Sequence, residues 1–212
     1  MSATGTVVLD PGHGGSVNLG GSDANHAVSP SGVLEKNMTL EFAQLVQTAL
    51  SSEADVQVIL TRTGDVNLSL AARANVARDS GADLFLSIHF NGFNGSARGV
   101  EAFVRPANDD NFNVDEDKEF AALVQKGVFD AIQARDPGTK DRGVKEMKLG
   151  VLRDSSLGNT AANHPCRACL LEIEFIDVPA VDALLNTGPD APAVRAEIAS
   201  AIKDAIVAAL QP

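Results

Sequence analysis

Asp83-Leu84-Phe85-Leu86-Ser87-Ile88-His89 is the stretch from which the fold is read. It is apolar nearly throughout, where a strand exposed on one side would alternate polar and apolar residues, so it has the character of a strand covered on both faces. Outward from it, short β-branched runs alternate with longer helical stretches. On the N-terminal side, Thr6 to Asp10 reads as a first strand followed by a Gly-rich loop. A helix from about Glu35 to Ser51 carries Leu40, Leu45 and Ala49 at helical spacing, Val56 to Thr61 reads as a strand, and Leu68 to Ser80 as a helix. On the C-terminal side, Gly99 to Val104 is expected as a strand, Arg105 to Asp117 as an exposed acidic loop, and Glu119 to Ala134 as a helix stopped by Asp136, Pro137 and Gly138. Met147 to Arg153 is expected as an edge strand, Ala168 to Phe175 as a central one, and Ala193 to Leu210 as a terminal amphipathic helix. The pattern predicts an α/β fold, a single domain over 1–212 with a largely parallel mixed sheet of about six strands flanked by helices on both faces.

Composition narrows the function classes. With 212 residues, 44% hydrophobic and 21% charged, the chain is of a size that buries a sizeable core in one domain. A formal net charge of -11 and the lack of basic runs argue against nucleic acid as a partner, since that binding rests on Lys and Arg neutralising phosphates. The longest apolar run, Leu84 to Phe90, is too short to span a bilayer, and no stretch resembles a signal peptide. Cys166 and Cys169 form a C-x-x-C that is open to three readings: a redox pair, half a metal site, or two buried thiols, the last favoured by the lack of a second pair. Trp and Tyr are absent, so a dedicated sugar-binding module, which relies on aromatic platforms, is not expected.

Four segments carry chemistry: Val8-Leu9-Asp10-Pro11-Gly12-His13-Gly14-Gly15, Gly32-Val33-Leu34-Glu35, Leu86-Ser87-Ile88-His89-Phe90-Asn91 and Leu170-Leu171-Glu172-Ile173-Glu174-Phe175. His13 and His89 fall at or just past strand ends, where open α/β sheets bind ligands, and Glu35 opens the following helix. Two histidines and one carboxylate make a catalytic zinc set with a fourth position left for water, whose pKa the metal lowers towards ~7. A carboxylate that does not bind metal is then needed to move a proton, help typically worth roughly 10²–10⁴-fold, and Glu172 is the candidate. Each residue also has an ordinary structural reading. His13 is a loop residue, His89 a satisfied core histidine, Glu35 favourable charge at a helix N-terminus, and Glu172 and Glu174 outward residues of an edge strand. The Gly-rich loop lacks both the G-K-[ST] ending and the G-x-G-x-x-G spacing of phosphate-binding loops.

Taken together and in order, these segments resemble the zinc-dependent N-acetylmuramoyl-L-alanine amidase family that includes bacterial cell-separation amidases and phage endolysins. The resemblance runs over nearly the whole chain. It extends to Leu60-Thr61-Arg62 with Asp65, to Leu68 to Leu70 with Arg73-Ala74-Asn75, and to Gly99-Val100-Glu101-Ala102-Phe103. It implies one zinc ion held by His13, Glu35 and His89, and it selects Glu172 over Glu174 as the catalytic carboxylate, because Glu172-Ile173-Glu174-Phe175-Ile176 is similar to the family's E-x-x-F-I segment. Glu174 stands where relatives usually carry a small residue, and Arg167 stands where they commonly have Pro. Residues two apart share a strand face, so Glu174 is also expected to look into the cleft. Asn91 and Arg62 are candidates for substrate contact or for orienting the ligands, and His26 for lining the cleft or serving as a further ligand.

The implied reaction is hydrolysis of the amide between N-acetylmuramic acid and L-alanine in peptidoglycan. Two rivals are a metal-dependent peptidase acting on the stem peptide and a non-catalytic wall-binding or regulatory module on the same fold. Some relatives carry a long inserted helix that plugs the zinc site after the strand matching Gly99 to Val104. Only the short Arg105 to Asp117 connection stands there, so an accessible site without an obligatory activator is expected. The expected place of action is the periplasm or cell wall, reached through a pore, a secretion machine or a missing leader.

Overall fold

The computed structural model describes residues 2–211, so the two end positions of the expected 1–212 domain lie outside the described residues. Strands β1 (Gly5–Pro11), β2 (Val56–Leu60), β3 (Leu84–Asn91), β4 (Val100–Val104), β5 (Asp141–Glu146) and β6 (Arg167–Phe175) form one sheet in the order β2-β1-β3-β6-β4-β5. Neighbours pair in parallel except β4 with β6. Because β1, β3 and β6 run the same way, Pro11, Asn91 and Phe175 arrive at the same edge of the sheet.

Alternation along the strands divides the core in two. Val7 and Leu9 of β1, Leu84, Leu86, Ile88 and Phe90 of β3, and Leu171 and Ile173 of β6 face a large cluster. Helices α1 (Glu35–Leu50), α3 (Val114–Arg135) and α6 (Ala191–Ala209) cover that face with Phe42, Val46 and Leu50, with Phe120, Val124 and Val128, and with Val194, Ile198, Ile202 and Ile206. The opposite face buries Val8, Phe85, Ala168 and Leu170 under a smaller layer, α2 (Leu70–Ser80) and the one-turn α4 (Asp154–Leu157). The same parity brings Asp10, Ser87, His89, Glu101 and Glu172 together at one end of the sheet. The predicted class and two-sided helical cover are therefore as found. Two further short elements, α5 (Pro179–Asp182) and a π turn at Ala183–Thr187, lead into α6.

Three sequence expectations are corrected. Met147 to Arg153 is no strand: Gly150–Leu152 is a 3-10 turn, and Leu149, Val151 and Leu152 use their apolar side chains to cap the smaller cluster. The edge strand is Asp141–Glu146, whose charged residues are exposed. Helix α3 begins at Val114, with Asp115, Glu116 and Asp117 in the first turn where the helix dipole favours acidic residues, so the preceding connection is shorter than Arg105 to Asp117. On α1 the core stripe is Met38, Phe42, Val46 and Leu50, rotated from the expected Leu40, Leu45 and Ala49.

The two cysteines are free and buried. Cys166 belongs to the smaller cluster and Cys169 to the larger, so they lie on opposite faces of the sheet and form neither a redox pair nor a shared metal site. No helix among the described residues is long and apolar enough to cross a membrane.

Candidate metal centre

The loop after β1 is built around two buried arginines. Arg73, on α2 and 1% exposed, sends its five N–H donors to Leu68 O, Asp10 Oδ1, Pro11 O, His13 O and Asn67 Oδ1 at 2.7 to 3.1 Å. Arg62 donates to the carbonyls of Pro11, Gly12, Gly64 and Lys36 and to Thr39 Oγ1. Asp10, fully buried, also accepts from Thr61 and Ser87. Burial alone raises a carboxyl's pKa, but the Arg73 charge and these hydrogen bonds outweigh it and hold Asp10 below its ordinary range.

Gripped in this way, His13 takes a left-handed backbone conformation with φ 61°, which is uncommon for a residue with a side chain. Its Nδ1 lies 2.9 Å from Asp23 O. A carbonyl only accepts, so Nδ1 carries the proton and Nε2 keeps its lone pair for an electrophile. Such a carbonyl partner behind a ligating imidazole is the usual means of fixing tautomer and ring orientation.

Glu35 is the first residue of α1, and its neighbour's amide Lys36 N is capped by Asn25 Oδ1 at 3.0 Å. Its carboxylate accepts from Ala27 N and Phe90 N and stands 3.1 Å from His13 Nε2 and 3.2 Å from His89 Nδ1. Burial opposes its ionisation, yet the two imidazoles prevail and hold its pKa well below the usual carboxylate range. Burial pulls both histidines down; at His13 the Glu35 carboxylate, which stabilises a second proton on Nε2 when no metal is bound, reverses the sign, whereas at His89 burial prevails. His13 and His89 meet edge to face with centroids 4.9 Å apart.

One donor atom from each of His13, Glu35 and His89 lies within 4.8 Å of the other two. Gly12 makes room for this: a Cβ there would lie 2.2 to 2.6 Å from three atoms of the His89 ring. Gly12→Ala is accordingly expected to displace the imidazole and weaken metal binding by about 10- to 100-fold, the scale seen when a ligand's support is lost. Competition with a chromophoric chelator measures it; wild-type affinity in a folded variant would show that the ring has another place to go.

Glu172 on β6 lies in register with His89 on β3 and with Glu101 on β4. It makes no hydrogen bond among the described residues, and its Oε2 is buried without a partner there. Burial and the carboxylates of Glu35 and Glu101 push its pKa well above the usual range. Glu101 accepts from Asn91 Nδ2 at 2.8 Å, from Arg142 Nε at 2.9 Å and from Lys145 Nζ.

The remaining expectations sort by geometry. Arg62, 3% exposed, holds loop carbonyls and does not face the cleft. Glu174 is also turned away: fully buried, it accepts from Arg98, Thr139 and Gly99 N, because the antiparallel partner β4 begins beside it. His26 is exposed with its ring stacked 6.4 Å from His13, outside the three-donor group. Asn91 reaches Glu101 and no member of that group. Asp23 carries no mark in the sequence, and Asp10, Arg73 and Glu101 stand there only as members of motifs.

An α/β domain with a three-donor metal-binding group at the carboxyl ends of its strands, and a lone carboxyl beside it, is the class that fold and geometry define. Residues 7–207 match the N-acetylmuramoyl-L-alanine amidase family, and the chain belongs to it. It is 34% identical to the sporulation-specific N-acetylmuramoyl-L-alanine amidase of Bacillus subtilis over 172 residues, 81% of this chain and 56% of that protein. It is 35% identical to the endolysin of Bacillus phage SPP1 over 182 residues, 85% and 58% of the two chains. Among solved structures, the N-acetylmuramoyl-L-alanine amidase from Clostridium difficile 630 is similar with a TM-score of 0.76 at 27% identity, covering 98% of this chain and 97% of that one. The chain spans 27% to 58% of the length of the first curated relatives that it matches.

Proposed function

We propose that this chain hydrolyses the amide between the lactyl carbonyl of N-acetylmuramic acid and the nitrogen of L-alanine in peptidoglycan, using one zinc ion held by His13, Glu35 and His89. The observation that carries this reading is the register of His89 against Glu172, which sets a carboxyl with no protein partner beside the three donors. The donor set fits zinc: two nitrogens and one oxygen, the His13 lone pair aimed by Asp23 O, and a position left open. Zinc bound there supplies Lewis acidity, polarising the scissile carbonyl and lowering the pKa of water at the site.

Glu172 in its ionised form takes a proton from the attacking water, whose oxygen bonds to the carbonyl carbon. Glu172 then hands that proton to the alanine nitrogen as the C–N bond breaks, leaving a free amino group and a lactyl carboxyl, which gives the water's other proton to solvent as it becomes a carboxylate. Lacking a hydrogen-bond partner, Glu172 has no interaction to break as it changes protonation state. Asn91, through Glu101, ties the end of β3 to β4 and so fixes the strand that carries His89.

The test is digestion of purified peptidoglycan with no second protein added, with zinc and with a chelator, and identification of the new ends. Chelator-sensitive release of L-alanine amino termini is expected. New ends within the stem peptide would instead identify a peptidase, and the absence of any cleavage with zinc present would identify a binding module. We infer the cell wall as the place of action from the same substrate.

A further inference from the structure

Resting on the amidase reading, we propose that Arg142 and Lys145 form a subsite for a carboxylate on the leaving peptide, two to three residues beyond the scissile amide. Both lie on β5 and converge on one oxygen of Glu101, which is itself in register with Glu172. Two cations thus meet one carboxylate oxygen in a chain of net charge -11. Neither side chain is free to wander. Arg142 lies with its guanidinium 5.1 Å from the Phe175 ring centroid and its methylenes against Gly99, where a Cβ would come within 2.8 Å of them. Lys145 stands 5.9 Å from the Phe103 ring. Both heads nonetheless remain open to solvent, with the side chains 36% and 41% exposed.

Donor bookkeeping shows what these heads can still bind. Arg142 uses only Nε on Glu101, so both terminal nitrogens are without a partner among the described residues, and they form the fork that grips a carboxylate through two parallel bonds. Lys145 likewise keeps two of its three donors. Among the described residues, the opposite flank of the metal centre has no comparable pair of free cations. Its cations are committed: Arg73 and Arg62 to the loop, and Lys36 to Gly15 O and Asp65. A cavity of about 180 Å³ reaches from His13 and His89 into that flank, where Leu70, Leu149, Val151 and Leu170 line it. A glycan strand whose lactyl carboxyl is tied up in the amide has no carboxylate to offer at that bond, whereas a peptide does. The peptide half therefore runs from Glu172 over β4 towards β5, and the sugar lies on the β1 side.

Distance agrees with this direction. From β6 to β5 is two strand spacings, roughly 10 Å, and an extended peptide advances roughly 3.4 Å per residue. The test uses pairs of synthetic N-acetylmuramoyl peptides that differ only in whether the carboxylate of the second or third peptide residue is free or amidated. Wild-type protein is expected to favour one free acid by about tenfold in kcat/KM, chiefly through KM. In the Arg142→Gln, Lys145→Gln double variant the ratio is expected to fall to near one. Any effect on Glu172 through Glu101 slows both substrates alike and cancels in the ratio. Should that variant not fold, Arg142→Lys keeps the charge but loses the fork, and the ratio should drop a few-fold. No preference in the wild type, or a preference that these variants leave intact, overturns the subsite. If the wild type cleaves neither substrate, the amidase reading itself fails and the subsite with it.

Discussion

Replacing Glu172 with glutamine is expected to lower amide hydrolysis by about 10²–10⁴-fold, the usual worth of a positioned acid-base group, while leaving zinc stoichiometry unchanged. The substitution keeps the shape of the side chain and removes its charge and its capacity to move a proton. Because Glu172 lies in register with His89 and Glu101 without a hydrogen-bond partner, no other structural role is lost with it. The metal-free variant should also melt at a higher temperature than metal-free wild type, since a neutral amide replaces a carboxyl set between the carboxylates of Glu35 and Glu101. Steady-state rates on peptidoglycan, zinc analysis and calorimetry read the three quantities separately. Retained activity would remove Glu172 from the reaction, and loss of zinc would make it a ligand.

The second large effect concerns stability. Arg73→Leu removes the cation facing Asp10 and strips donors from Pro11 O and His13 O, all inside the protein. Breaking a buried pair on one side leaves an uncompensated charge, at a cost of about 3–5 kcal/mol. Urea denaturation should register that loss, and adding Asp10→Asn should restore part of it, because the stranded charge is then gone. His13 would lose the grip that holds its backbone at φ 61°, so zinc affinity should fall in the same variant. A loss below about 1 kcal/mol, the range of exposed ion pairs, would mean that Arg73 is not the anchor of the loop.

What the sequence revealed follows from where its signals come from. Strands β1, β3 and β6 were legible because burial on both faces demands continuous apolar runs, and the same requirement made the two-sided helical cover legible. Strand β5 was not, because Asp141-Arg142-Gly143-Val144-Lys145-Glu146 lies at an exposed edge and needs no apolar pattern. The alternating Met147, Leu149 and Val151 imitated a strand, whereas Leu149 and Val151 cap the smaller cluster and Met147 is exposed. The start of α3 carried a readable mark in Asp115-Glu116-Asp117. His13, Glu35, His89 and Glu172 stood out through residue type, strand position and a family resemblance, and the structure brings all four to one end of the sheet. Arg62 and Arg73 could not be assigned in the same way, since most of their partners are backbone carbonyls, which leave no trace in side-chain composition. Glu174 was misplaced by strand parity alone: it shares a face with Glu172, but Arg98, Thr139 and the start of β4 close over it.

The placement of the two thiols has a practical consequence. Cys169 on β6 and Cys166 just before it lie on opposite sides of the sheet, each sealed in a different apolar cluster, and burial raises the pKa of both. Alkylation must wait for the layer above each one to open. The chain thus carries two native clocks, one timing the release of the thin α2 and α4 layer and the other that of the three-helix layer. Comparing their labelling rates reads whether the face that bears the metal centre loosens before the rest of the molecule.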